Sequence, residues 1–226
     1  MKSPLKPWLL FAAVALGVAH SSRTVGESTP EQAGVGAIVA RVQERYDATR
    51  DLTADVTQET VLTRLNKRVT ASGTVAFRKP GKMRWELTNG QKEVIVSDGQ
   101  TLWIYRPEDQ QVIRIRFAQA FRSNMPVSFL TGVGRIAEDF IPSLEPAAGT
   151  HLRLRLVPKR GDADVGVLWL DVDPTTYDIV GAEVKDPLGN TSKLTLQNIK
   201  RNTGLSDGVF QFEVPPGVDV LDAPQG

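Results

Sequence analysis

The chain of 226 residues contains no cysteine and only two histidines. Without cysteine there is no disulfide, no thiol chemistry and no lipid-modified cysteine behind an export signal. His20 falls in the N-terminal region expected to be removed, and His151 stands alone. No Ser-His-Asp, Cys-His or multi-histidine metal set can be assembled from them. Gly132-Val133-Gly134 lacks the rest of any phosphate-cradling fingerprint. The carboxylates are scattered. Asp171 and Asp173 point the same way on one strand, but a hydrolase needs such a pair in a cleft, whereas at a hairpin end it more often solvates the turn. No catalytic residue, cofactor or metal site is expected, and the chain does not read as an enzyme.

A charge imbalance is also missing. The chain carries 27 Lys and Arg against 26 Asp and Glu. Removing Lys2 and Lys6 with a leader leaves 25 against 26, a net charge of −1. A nucleic-acid binder needs a basic footprint that this chain lacks. Long apolar runs are limited to Trp8–Ala19, behind the basic Lys2 and Lys6 and ahead of small residues around Gly17–Ser21. That run is short for a bilayer span and matches a secretory signal peptide better than the alternative, an uncleaved anchor. The expected organisation is a signal peptide at 1–21, a disordered leader at 22–28 and a single domain at 29–226. Export without cysteine is compatible with a bacterial periplasm, where a core of this size needs no covalent staple.

What is present is alternation. Thr29-Pro30-Glu31-Gln32 reads as a helix start, with Thr29 as cap, Pro30 at the first position and Gln32 as capping-box partner. Val35, Ile38, Val39, Val42 and Tyr46 then form one apolar stripe at helical spacing. The stripe must lie on something: the sheet, as core, which the helix alone favours, or a cavity, as a lid. From Leu52 the period changes to two. Leu52, Ala54 and Val56 share a face, as do Val69, Ala71, Gly73, Val75 and Phe77, then Met83, Trp85 and Leu87 beyond Pro80-Gly81. Pro80-Gly81 and Asp98-Gly99 supply the backbone angles of tight reversals, so Ser72–Pro107 is expected to be a meander with one aromatic-rich face including Trp85, Trp103 and Tyr105. Alternation continues through Val112–Arg116, Leu152–Leu156, Leu168–Val172, Val180–Val184, Leu194–Leu196 and Phe210–Val214. Phe117–Phe121 and Asn124–Leu130 interrupt it with helical pieces that can plug or flap over the sheet.

The expected fold is therefore mainly β with a helical lid: an incomplete, unclosed antiparallel barrel of about eleven strands covered by short helices. Such a curved sheet has more apolar inner face than its own side chains need to fill, and large barrels of this kind commonly hold a ligand. An acyl chain of sixteen or so carbons gains roughly 12 kcal/mol on leaving water, at about 0.8 per methylene. A soluble carrier is the physical means of moving it through an aqueous compartment.

The run Ser72-Gly73…Phe77-Arg78-Lys79-Pro80-Gly81-Lys82-Met83-Arg84-Trp85-Glu86, then Val96-Ser97-Asp98-Gly99-Gln100-Thr101-Leu102-Trp103-Ile104-Tyr105, resembles the LolA family of outer-membrane lipoprotein carriers. The likeness extends to Asn124-Met125-Pro126-Val127-Ser128-Phe129-Leu130 and to Phe210-Gln211-Phe212…Pro215-Pro216-Gly217-Val218, and so spans nearly the whole mature chain. The resemblance implies a monomeric periplasmic chaperone whose hydrophobic cavity takes the acyl chains of lipoproteins. An inner-membrane ABC transporter releases them, and an outer-membrane receptor accepts them. It places Val75, Phe77, Met83 and Trp85 on the barrel wall, Val127, Phe129 and Leu130 in the lid, and Ile38 and Val42 beside them. Where the family has an arginine before the proline, whose guanidinium latches lid carbonyls, this chain has Lys79, with Arg78 one place earlier. Alternation turns Lys79 inward and Arg78 outward, and lysine lacks the planar multi-donor fork, so a looser latch is expected. The other reading leaves both solvated at a hairpin end. A lipid- or lipoprotein-sensing periplasmic regulatory domain on the same fold is the alternative function.

Overall fold

The computed structural model describes residues 30–120, 135–147, 149–159 and 167–223. The expected signal peptide and leader, the Thr29 cap, and the lid candidates Val127, Phe129 and Leu130 lie outside the described residues.

Twelve strands form one sheet: β1 (Asp51–Leu62), β2 (Lys67–Arg78), β3 (Lys82–Asn89), β4 (Glu93–Asp98), β5 (Thr101–Arg106), β6 (Gln111–Arg116), β7 (Phe140–Glu145), β8 (Leu152–Pro158), β9 (Val167–Val172), β10 (Ile179–Lys185), β11 (Thr191–Arg201) and β12 (Asp219–Asp222). Their order is β12-β6-β5-β4-β3-β2-β1-β11-β10-β9-β8-β7, so β7 and β12 form two edges and the barrel is unclosed. Every pairing is antiparallel except β12 with β6, which is parallel. Among the described residues the helices are α1 (Pro30–Asp47), α2 (Phe117–Ala120) and α3 (Ile136–Asp139).

The period-two pattern sets the register. Val75 stands between Ala54 on β1 and Trp85 on β3, and Phe77 between Leu52 and Met83. Because alternate side chains share a face, this row fixes which side of the sheet is apolar. The row continues across β11 and β10, with Leu196 opposite Val56 and Leu194 opposite Ala182. Gly73 belongs to it for a steric reason: a Cβ there would stand 1.8 Å from the Glu86 carbonyl oxygen, at the bulge where β2 bends against β3.

Two expectations need correcting, and one strand lies outside those expected. Phe140–Glu145 is a strand although Pro142 removes a ladder donor; the proline is accommodated because β7 is an edge. Phe210–Val214 is not a strand. It begins in a 3-10 turn at Asp207–Phe210, and the real last strand is the short Asp219–Asp222. The meander does not have one aromatic face either. Trp85 points inward, whereas Trp103 and Tyr105 point outward, where the Phe212 ring meets theirs at 6.0 and 6.1 Å. The alternating Phe210-Gln211-Phe212 pattern imitated a strand because those aromatics cover the sheet's outer surface.

Candidate functional site

The inner face divides into two apolar clusters. The first joins Leu52, Ala54, Val56, Val75, Phe77, Met83, Trp85 and Leu87 with Leu102, Ile104, Leu194 and Leu196, and takes in Ala120 of α2. The second joins Val35, Val39, Val42 and Tyr46 of α1 with Ile136 and Phe140 and with β8–β10 through Leu154, Leu156, Leu168, Leu170, Val172 and Ile179. Ala182 on β10 borders both. The four stripe residues of α1 recur on one helical face, so one side of the helix is buried along its length. Val75, Phe77, Met83 and Trp85 thus come together on the wall of the first cluster. Val42 is buried in the second cluster, and Ile38 packs half-buried against it. The helix lies over the β7–β10 half of the sheet, not directly over those four residues.

The end of α1 meets the β2–β3 corner at the seam between the clusters. The Lys79 ammonium donates to the Tyr46 carbonyl in the last turn of α1, and the Lys79 amide donates to the Arg50 carbonyl at 2.9 Å. A cation at this end of a helix also meets the negative pole of its dipole. Burial lowers the Lys79 amine below the ordinary lysine range, and nearby Asp47 partly offsets that. Arg78 faces the other way, as alternation required. Its guanidinium donates to the Leu205 carbonyl at 2.6 Å, pairs with Asp207 and lies 5.3 Å from the centre of the Phe210 ring. Arg78 therefore clamps the C-terminal segment onto the outer face, while Lys79 alone reaches the helix. The pair is not simply solvated at a hairpin end.

Further polar contacts hold the same helix end. The buried carboxylate of Asp178 pairs with Arg45 at 3.0 Å and with Arg201. Thr49 donates to the Arg45 carbonyl at 2.8 Å, and Asn202 donates to the Ala48 carbonyl while accepting from the Arg50 amide. Asp51 accepts from the Thr203 amide and hydroxyl and from the Gly204 amide at 2.7–3.0 Å. Burial alone would raise the Asp51 carboxyl, but these donors outweigh it and hold the group below the usual carboxylate range. The sign follows from linkage. A depressed folded pKa contributes stability that is present above the unfolded value, about 4, and is lost as pH falls through the folded value. Asp51→Ala is expected to cost about 1–3 kcal/mol at neutral pH by orphaning these donors. The gap from the parent should shrink in acid, which urea melts at pH 7 and pH 3 would measure.

Other singled-out groups are engaged structurally. Asp171 pairs with Arg153 at 2.8 Å, and Asp173 accepts from the Thr175 and Thr176 amides at its turn. His151 is exposed just ahead of β8. Among the described residues there is no group of three metal-ligating side chains. Likewise, no described helix is long and apolar enough to cross a membrane.

An unclosed sheet with an apolar concave face, and a first helix tied to the corner before Pro80, is the geometry with which the known proteins must agree. The family model described as outer membrane lipoprotein carrier protein LolA matches residues 47–213. This chain belongs to the LolA family. A relative from Chromobacterium violaceum, named outer-membrane lipoprotein carrier protein, is 31% identical over 218 residues, covering 96% of this chain and 98% of its own. One of the same name from Neisseria meningitidis is 30% identical over 217 residues, covering 96% and 99%. The LolA fold is also seen across a wider distance. A solved structure of an uncharacterized conserved protein from Thermus thermophilus superposes with a TM-score of 0.51 at 14% identity, over 84% of this chain and 99% of that one. As a LolA-family chain, the protein has lysine at the position before the proline where arginine was expected, and that lysine bonds to α1.

Sequence reasoning missed Arg50, Asp51 and Asn202. They gather around Lys79 only because β1 pairs with β11, which sets Leu52 opposite Arg201. The Asn-Thr-Gly turn at 202–204 was the one signal available, through the positive φ of Asn202 and Gly204.

Proposed function

We propose that this protein is a periplasmic carrier that takes up the acyl chains of lipoproteins released from the inner membrane and delivers them to the outer membrane. The observation that bears most weight is membership of a carrier family over residues 47–213, together with a concave sheet face that is apolar across its width. Val75, Phe77, Met83 and Trp85 form the wall the chains contact, Val42 and Ile38 move with α1, and Val127, Phe129 and Leu130 complete the cover. Lys79 latches the empty state through Tyr46. An ABC transporter in the inner membrane supplies the cargo and a receptor at the outer membrane accepts it, the carrier acting as a monomer without catalysis or cofactor. The balance is physical: roughly 12 kcal/mol per sixteen-carbon chain forbids free passage through water, and an apolar interior offsets it.

The mature protein, added to spheroplasts, should bring a triacylated lipoprotein into the soluble fraction as a one-to-one complex. Lipoprotein remaining wholly with the membrane would refute the reading. A sensing role on the same fold would instead give co-purification with a membrane-bound signalling partner and no transfer.

A further inference from the structure

Beside the Lys79–Tyr46 contact lies a cleft of about 470 Å³ whose lining includes Asp47, Thr49, Arg50, Asp51, Lys79 and Asn202, together with Arg78, Gly204 and Leu205. This volume is within the range of about 300–1,000 Å³ typical of small-ligand sites. A narrow space of about 10 Å³ shares Thr49, Arg50, Asp51 and Lys79 with the cleft and is bounded further by Tyr46, Leu52 and Phe77. Leu52 and Phe77 belong to the barrel cluster and Tyr46 to the helix cluster, so the space lies at the seam between the two. Lys79 and Tyr46, bonded to one another, both line it.

The cleft offers an acceptor, the Asp47 carboxylate, one oxygen of which accepts from Gln43, and donors set apart from it. The Asp51 oxygens are occupied by Thr203 and Gly204, Asn202 by the Ala48 carbonyl and the Arg50 amide, and Thr49 by the Arg45 carbonyl of α1. Arg78 is satisfied by Leu205 and Asp207. Arg50 is exposed, and among the described residues its guanidinium has no hydrogen bond or ion pair. Its five N–H groups suit an occupant rich in carbonyl acceptors.

We propose that this cleft is the vestibule of the interior, seating the ester and amide carbonyls around an acylated N-terminal cysteine while the acyl chains pass Lys79 into the seam. The proposal rests on the carrier reading and adds to it a polar subsite, a point of admission and a residue, Arg50, that selects for the cargo's head rather than its tails. Arg50 is surface-exposed, so its substitution does not threaten the fold.

The test compares two probes on the full mature protein: a tripalmitoylated cysteinyl peptide of zero net charge, and diphenylhexatriene, a hydrocarbon with no head. Arg50→Ala should weaken lipopeptide binding about tenfold and change diphenylhexatriene binding less than twofold, with Arg50→Lys recovering part of the loss. Unchanged lipopeptide binding, or equal weakening of both probes, overturns the vestibule while leaving the carrier reading intact. A parent protein that binds diphenylhexatriene but no lipopeptide removes both. A photoreactive side chain at position 50 should cross-link the lipopeptide near its cysteine, and cross-linking confined to the acyl tails would contradict the proposal.

Discussion

Phe77→Ala is expected to lower the unfolding free energy by about 3–5 kcal/mol, a large share of the roughly 5–15 kcal/mol that holds a domain together. Phe77 is 2% exposed and sits between Leu52 and Met83, where three strands meet. Truncation removes its apolar surface from the core and leaves a hole that paired backbones on both sides cannot close. The same side chain bounds the narrow space beneath Lys79, so lipopeptide binding should change with stability. Ile141→Ala on the exposed part of edge strand β7 is the control, expected within about 0.5 kcal/mol of the parent. Urea titration of both variants would measure the difference.

Lys79→Leu is expected to hold cargo about five- to thirtyfold more tightly and to slow its release correspondingly. The ammonium donates to the Tyr46 carbonyl and so ties α1 to the β2–β3 corner, and on the proposed reading that bond is lost when the carrier opens. A hydrogen bond from a charged donor, discounted for the partial exposure of Lys79, is worth about 1–2 kcal/mol. Deleting it weakens the closed, empty state, and the apparent affinity of a ligand that needs the open state rises by that factor. Lys79→Arg should keep the latch, since guanidinium also donates to carbonyls. Release of lipopeptide to acceptor vesicles, timed for all three proteins, gives the comparison. Equal release rates would remove the latch.

The concave wall was legible because strand alternation has a strict period. Val75, Phe77, Met83 and Trp85 could be assigned inward from their neighbours alone, and Lys79 followed by continuing the count beyond Phe77. Its partner could not be read, because it is a backbone carbonyl 33 residues earlier in the chain, which has no side-chain signature. Trp103 and Tyr105 show the opposite limit. Aromatic content suggested one ligand-facing surface, yet the register places them outward under Phe212, a contact set by the path of the C-terminal segment. The strand β7 was not among those expected, and its Pro142 fits a strand only because strand order makes β7 an edge. The α1 stripe was plain, but which half of the sheet it covers depended on strand order, which places β7–β10 beyond β11.

The central claim is that acyl chains lie against the inner face of the sheet. Trp85 is on that face, while Trp169 is on the other, donating to Glu145 at 2.8 Å beneath the Arg153 guanidinium. Two single-tryptophan forms of the mature protein, one keeping Trp85 and one keeping Trp169, can be loaded with a lipopeptide brominated along its acyl chains. Strong quenching of Trp85 fluorescence with Trp169 unaffected is the predicted result. Quenching of Trp169 alone, or of neither despite binding, would contradict the account.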